Sequence, residues 1–352
     1  MESGKRMIFC TLFDSNYIDK GLALYKSMEN NICDFKLYIF AFDEKAYEVL
    51  LDMKLNNVKI IPLNAIMTPS LAKIREERTC AEFCWTCTPL VIEHVLTEFN
   101  EAICTYIDAD IYFFSSPSNI IQEIIDNNCS VGLVKHNFER DCEYGKHVFE
   151  VGKYCIQFNT FLNNQIGLQV LRDWKENCLK WCYHRLEDGK LGDQKYPDKW
   201  RQRYEGIYES RNLGAGVAPW NLHLFTYISS RNREIWMKSK AKIFKVVFYH
   251  FEGMKYLGRD DICLNIWNPC VEKTGKKIKI LYGEYLREIR DIRTFLDKKY
   301  GVTFEHMLIS KDIFLEKDYS LMQFCKDDGI IDGLKKWMKY RKYNIVRINK
   351  IT

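Results

Sequence analysis

The sequence predicts an α/β fold: a Rossmann-like, mostly parallel sheet flanked by helices, with a helical C-terminal extension. Three observations point there. Apolar runs of strand length alternate with stretches of helical spacing through the first 65 or so residues. The runs are apolar throughout rather than alternating, as in strands covered on both faces. The strand–helix–strand order also repeats, which is the pattern of a doubly wound sheet.

Arg6–Phe13 (RMIFCTLF) is the first buried strand, closed by the polar turn Asp14-Ser15-Asn16-Tyr17. Ile18, Leu22, Tyr25 and Met28 then share one helical face. Phe35–Phe42 is the second strand, with Asp43 as the cap of a helix over Lys45–Leu51. Val58–Leu63 is the third strand. Thr88–Phe99 reads as a helix with Thr88 as cap and Pro89 in its first turn. Ala102–Ile107 is a strand that runs directly into Asp108-Ala109-Asp110. A helix over Asn119–Asp126, a strand over Ser130–Val134 and a helix over Gly167–Tyr183 follow. Lys242–Phe251 (KIFKVVFYHF) is a later strand, and charged helical segments lead from about residue 280 to the end.

At 47% hydrophobic and 28% charged residues with 7 prolines, the chain can build a core and lacks the composition of a disordered one. The net charge of +5 is too mild for a nucleic-acid coat, and no nucleic-acid partner is expected. Residues 335–352 hold seven of the 52 Lys/Arg and none of the 47 acids, so the body is near neutral and the tail is basic. No apolar stretch reaches the roughly 18 residues of a spanning helix, and no apolar run of signal-peptide length opens the chain. The expectation is a cytoplasmic protein whose 14 cysteines remain thiols and act as small buried hydrophobes. Cys80, Cys84 and Cys87 are spaced like one helix face. They could also bind zinc, but a structural site needs four ligands at paired spacing.

The strongest chemical feature is TYIDADIYFF at 105–114. Asp108 and Asp110 stand where an apolar strand ends, and open α/β sheets bind ligands at the carboxyl ends of strands. Two acids one residue apart can share one Mg²⁺ or Mn²⁺, whose other positions go to water and substrate phosphates. The alternative is a solvated turn. Two like charges against large apolar residues are costly unless something neutralises them. A second feature is His250-x-x-Gly253-x-Lys255, offering an imidazole ligand, a close backbone approach and a cation for phosphate. A lone strand-end histidine is otherwise a satisfied core or surface residue. A third is Gly192-Asp193-Gln194, where Asp193 is either a site carboxylate or a helix cap.

These elements resemble the GT-A class of nucleotide-sugar glycosyltransferases. Their order is similar to glycosyltransferase family 8, the retaining group with an Asp-x-Asp, in a bacterial surface-glycan branch. The resemblance covers roughly residues 6–256. It implies a catalytic domain over 1–260, with a nucleotide-sugar half to about 135 and an acceptor half beyond it, and an extension over 261–352. It also implies Asp108, Asp110 and His250 as ligands of Mn²⁺ or Mg²⁺, with Asp108 on the ribose or sugar side of a UDP-sugar donor. Gly253 and Lys255 would meet phosphate. Thr11, Asp14 and Tyr17, following the first strand, would contact base and ribose. Asp193 and Gln194 would sit by the reacting sugar as the catalytic pair. Lys135, Asn159 and Trp220 would face phosphate, donor sugar or acceptor, although Trp220 could equally be core.

The reaction implied is sugar transfer to an acceptor hydroxyl on a glycan or glycolipid, with retention. A sugar-phosphate nucleotidyltransferase is the alternative, but the loop CTLFDSNYIDKG lacks that class's Gly-rich basic phosphate loop. A non-catalytic glycan- or RNA-binding protein is the other. The tail mixes Lys/Arg with Trp337, Met338, Tyr340, Tyr343, Ile345, Val346 and Ile348. It reads either as an interfacial helix on an anionic membrane surface or as a helix packed on the body.

Overall fold

Four parallel strands form the scaffold that carries the acidic pair. The computed structural model describes residues 6–138, 150–231, 233–266, 275–317, 322, 325–326 and 329–352. Strand β1 (Met7–Phe13) pairs in parallel with β2 (Phe35–Ala41), and β2 with β3 (Val58–Pro62). On its other side β1 pairs in parallel with β4 (Ile103–Ile107), in register Phe9–Thr105 and Cys10–Tyr106. Helices α1 (Ile18–Asn31) and α2 (Glu44–Met53) make the crossovers, and Asp43 caps α2 by accepting the Ala46 N–H at 2.7 Å.

Helices α3 (Pro69–Glu77) and α4 (Cys80–Glu98) lead into β4. Helix α4 starts eight residues before the expected position. Thr79, not Thr88, is the cap: its hydroxyl accepts the Glu82 N–H while Glu82 accepts the Thr79 N–H, a reciprocal capping box. Pro89 lies inside the helix, where Cys80, Cys84 and Cys87 also ride.

After β4 come β5 (Ile111–Phe113), α5 (Ser118–Asp126) and β6 (Val131–Lys135). The seven-stranded sheet is completed by β7 (Tyr154–Leu162) and β8 (Ile207–Glu209), in order β3-β2-β1-β4-β7-β6-β8. Strand β7 is antiparallel to both β4 and β6, so the sheet is mixed but mostly parallel, as expected. Helix α6 (Gln165–Lys180) packs with α4 on one face, over a core that includes Phe161, Trp174 and Trp200.

The chain divides into two compact units, residues 1–216 with 246–248, and residues 217–245 with 249–352. The sequence had set its boundary near 260. The second unit holds an antiparallel sheet of β9 (Thr226–Arg231), β10 (Glu234–Ser239) and β11 (Lys242–Lys245). The run expected as one strand over Lys242–Phe251 is therefore broken: β11 ends at Lys245, and β12 (Phe248–His250) begins after Val246 and Val247. Strands β13 (Lys255–Leu257) and β14 (Asp261–Cys263) form a hairpin.

The helical extension is present as α7 (Gly275–Tyr300), α8 (Lys311–Lys317) and α9 (Ile330–Asn344). The tail is not helical to its end. Ile345–Arg347 forms β15, which adds to β14, and Asn344 holds the junction through reciprocal bonds with Ile266. The side chain of Tyr343 lies outside the described residues. No described helix is long and apolar enough to cross a membrane.

Candidate functional site

Strand β4 delivers Asp108 and Asp110 to the carboxyl end of the sheet. Their backbone is fixed there: Asp108 N–H donates to Gln157 O at 3.1 Å, and Ile111 N–H to Asp108 O at 3.2 Å. The two side chains are half-buried, and each offers a carboxylate oxygen within 4.8 Å of the other. Hard oxygen donors at that separation fit Mg²⁺ or Mn²⁺.

Asp193 lies behind this pair. It sits in the turn after Gly192 and caps no helix, because the following turn Tyr196–Lys199 starts from Lys195. Its side chain is 5% exposed, and its Oδ2 has no hydrogen-bond partner among the described residues. Burial, and then the neighbouring Asp108 carboxylate, push its pKa well above the usual carboxylate range, against a hydrogen bond with Thr88. Tyr106 joins the cluster. Burial, then Asp108 and Asp193, raise its hydroxyl far above the ordinary tyrosine value, while it hydrogen-bonds Asp108 and Thr88.

Strand β7 adds amides on the same face. Tyr106 faces Asn159 across the ladder and Ile107 faces Phe158, which puts Gln157 opposite Asp108. Gln157 and Asn159 are fully buried. Both polar atoms of Gln157 and the Oδ1 of Asn159 lack partners among the described residues, although Asn159 Nδ2 donates to Ile156 O at 3.0 Å. Gly216 closes over this floor at φ +77°. A Cβ there would stand 2.7 Å from Gln157 Nε2, so only glycine fits. Gln194 is half-buried beside Asp193.

The loop after β1 forms another wall. Asp14 holds it by accepting Asn16 N–H and Asn16 Nδ2, both at 3.0 Å. Tyr17 is 39% exposed at the start of α1, and the Lys20 ammonium lies 3.6 Å from its ring centroid. Burial alone would lower the Lys20 pKa, but Tyr17, Asp110 and Asp19 outweigh it and leave it raised. Thr11 lies inside β1 rather than after it, fully buried. By register it is level with Ile107, on the face opposite Tyr106. Its hydroxyl has no partner among the described residues.

Lys135 ends β6 in an ion-pair hub. Glu209 accepts Lys135 at 3.1 Å, Lys153, Arg201 at 3.6 Å and the Tyr154 hydroxyl at 2.8 Å. Val246–Phe248 return to this unit beside β5, where Phe114 N–H donates to Val247 O at 2.8 Å and the Phe113 and Phe248 rings meet at 5.9 Å.

In the second unit His250 ends β12, buried, with the Trp220 ring edge-on at 5.6 Å. Trp220 is 4% exposed and shows no open ring face. Gly253 has φ +68°, and a Cβ there would collide with Asn265 Nδ2 at 2.1 Å. Lys255 is exposed on β13, its ammonium 5.3 Å from the Phe314 ring.

Sequence reasoning missed Lys20, Thr88 as a site hydroxyl, Tyr106, Gln157 and Gly216. Gln157 carried a signal, since Gln157 and Asn159 are amides at alternate positions of a largely apolar strand. Lys20 carried none.

No family model matches the chain. It is 25% identical to the uncharacterized protein YfnD of Bacillus subtilis (strain 168) over 285 residues, 80% of this chain and 88% of YfnD. It is 29% identical to the uncharacterized YfnF of the same strain over 260 residues, 72% of this chain and 84% of YfnF. Among solved structures, the galactosyltransferase LgtC with donor and acceptor sugar analogues aligns over 84% of this chain and 100% of its own, with 11% identity and a TM-score of 0.49. The glycosyltransferase GlyE of Streptococcus pneumoniae TIGR4 aligns over 62% of this chain, with 12% identity and a TM-score of 0.42; the match spans 49% of GlyE. Mouse xyloside xylosyltransferase 1 aligns over 71% of this chain and 99% of its own, with 11% identity and a TM-score of 0.41.

Proposed function

We propose that the chain is a GT-A-type glycosyltransferase that moves a sugar from a nucleoside diphosphate, a UDP-sugar in our reading, to an acceptor hydroxyl on a glycan or glycolipid, with retention. The observation that carries this is the strand-end cup. Asp108, Asp110 and Asp193 converge there, and Gln157, Asn159 and Asp193 present buried polar atoms that have no partner among the described residues. Buried polar groups without partners are rare and mark places where a ligand, ion or water belongs. A polyhydroxylated sugar beside a cation-bound diphosphate matches both halves of the cup.

Asp108 and Asp110 would hold a divalent cation, with His250 as third ligand. His250 follows two residues after Phe248, which runs beside the strand that leaves Asp110. When bound, the cation neutralises charge growing on the leaving diphosphate, a role worth several kcal/mol. Lys20, beside Asp110 and Tyr17, would add positive charge under the phosphates. Tyr17 would stack on the base. Asp193 and Gln194 would hold the reacting sugar, with Asp193 either ligating its hydroxyls or meeting the anomeric carbon as the oxocarbenium-like transition state forms.

The tail would bring the enzyme to an anionic membrane surface. In support, Ile330, Ile331, Leu334 and Met338 are exposed on α9 among Lys335, Lys339 and Lys342. The test is turnover of a panel of nucleotide sugars with Mn²⁺, with and without acceptor. Slow hydrolysis of one donor would name base and sugar. Absence of both hydrolysis and any thermal shift across the panel would overturn the reading.

A further inference from the structure

The antiparallel sheet β9–β11 lies wholly within the second unit and has one covered face and one open face. Ile235 and Met237 of β10 are buried, and Met237 is flanked in register by Tyr227 of β9 and Phe244 of β11. The Phe244 ring meets Phe225 at 5.1 Å, which anchors this face. Side chains alternate along a strand, and directly paired residues share a face. The other face therefore carries Trp236 and Lys238 of β10, with Lys245 and Ile243 opposite them on β11 and Ser229 and Thr226 opposite them on β9. Thr226, Ser229, Lys238 and Ile243 are exposed.

The charge of this sheet is one-sided. Residues 226–245 hold six cations, Arg231, Arg233, Lys238, Lys240, Lys242 and Lys245, against one acid, Glu234. The resulting +5 equals the net charge of the whole chain. Two of the cations are matched: Lys245 pairs with Glu234 at 2.6 Å, and Arg233 with Glu284 of α7 at 3.6 Å. Arg231, Lys238, Lys240 and Lys242 are exposed and make no ion pair among the described residues. Such an unmatched excess on one small sheet complements an anionic partner.

Two isoleucines say which kind. Ile228 is the extra residue where the register shifts between Tyr227 and Ser229. It is 44% exposed, and Ile243 is 60% exposed beside Lys238 and Lys242. On a nucleic acid or an acidic glycan both side chains would stay in water. In the interface of an anionic bilayer they leave water while the flanking cations reach the headgroups. Trp236 is half-buried, with the Lys245 ammonium 5.4 Å from its ring centroid, and tryptophan beside lysine is a usual composition of a membrane interface. A second copy of this face would meet its own excess of positive charge.

We propose that the open face of β9–β11 binds an anionic lipid bilayer, with Ile228 and Ile243 entering the interface and Arg231, Lys238, Lys240 and Lys242 on the headgroups. This contact is separate from the basic tail and does not depend on the reaction at the strand-end cup.

Co-sedimentation of the full chain with vesicles of phosphatidylcholine alone, or with about 30 mol% phosphatidylglycerol, tests this. Binding to the anionic vesicles should exceed that to phosphatidylcholine by about tenfold or more. Lys238→Glu with Lys242→Glu, both on exposed side chains, should weaken it about tenfold at an unchanged melting temperature. Ile243→Ser should weaken it about threefold and leave any binding of single-stranded polyuridylate unchanged. Changing Lys335, Lys339 and Lys342 of the tail to Gln should cost no more than about threefold. Undiminished vesicle binding in the Lys238/Lys242 variant, equal binding to the two vesicle types, or a loss confined to the tail variant would each overturn the proposal. So would polyuridylate binding that needs Lys238 and Lys242 while Ile243→Ser leaves vesicle binding intact, which would make the face a nucleic-acid surface.

Discussion

Two carboxylate sites in the same sheet treat their charge in opposite ways. At the end of β8, Glu209 is met by three cations and a tyrosine hydroxyl. Burial alone would raise its pKa, but Lys153, Tyr154 and Lys135 outweigh it and hold the carboxyl at about 2. At the end of β4, Asp193 is more deeply buried and faces another carboxylate, so its pKa is driven up. One site is electrostatically finished by the fold. The other is left strained, and such strain belongs where an exogenous cation or substrate completes the structure.

The comparison breaks most visibly at Asp110. Asp110→Asn should lower metal-dependent turnover by on the order of 10²–10³, since several kcal/mol of charge neutralisation are lost at about 1.4 kcal/mol per tenfold. The fold should be retained, as read by circular dichroism and melting. Full activity in this variant would make the acidic pair an ordinary strand-end turn.

Asp193→Asn comes next, and it should separate function from stability. A carboxyl whose folded pKa is raised contributes stability that is complete below its unfolded value, near 3.9. That contribution is lost as pH rises through the folded pKa. The amide variant removes this loss. It should be as stable as the unmodified chain at pH 7 or more so, by about 1–3 kcal/mol, while turnover collapses. Urea melts between pH 4 and pH 8 check it; a variant clearly less stable at pH 7 would mean that the acid is satisfied in the fold.

Glu209→Gln should show the reverse pattern. Its depressed pKa means stabilisation present above the unfolded value, near 4.3, and lost as pH falls towards 2. The variant should lose about 1–3 kcal/mol at pH 7 and converge with the unmodified chain in acid, with turnover within about twofold. A large drop in turnover would instead move Lys135 and its hub into the reaction, as the sequence reading had it.

Much of this contrast was legible beforehand. The apolar runs of β1, β2 and β4 and the acids that end β4 are local patterns, and local patterns survive folding. What was not legible depends on partners distant in sequence. Lys20 comes beside Asp110 only because the β1–β4 pairing brings α1 next to the end of β4. Lys135 meets Glu209 because β6 pairs in parallel with β8, a pairing that nothing in the local sequence announces. The tail looked helical throughout, yet Ile345–Arg347 pair with β14, because an open strand edge outweighs a weak local preference.

The two threonines of α4 give the finest test. Both precede plausible helix starts, but only Thr79 has the glutamate three residues on that completes a capping box. Thr88 lies one turn beyond Cys84, whose carbonyl its hydroxyl approaches at 3.4 Å, and it reaches Tyr106 and Asp193. Thr79→Ala should therefore cost about 1 kcal/mol of stability, the usual value of a lost cap, and leave the pH profile of turnover unchanged. Thr88→Ala should cost less stability but act on the strained site. Removing a hydrogen bond that favours the ionised Asp193 raises that residue's pKa further, so the acidic limb of the pH profile should shift upward. Equal shifts in both variants, or a shift only in Thr79→Ala, would mean that Thr88 does not reach the cup and that the strain at Asp193 has another source.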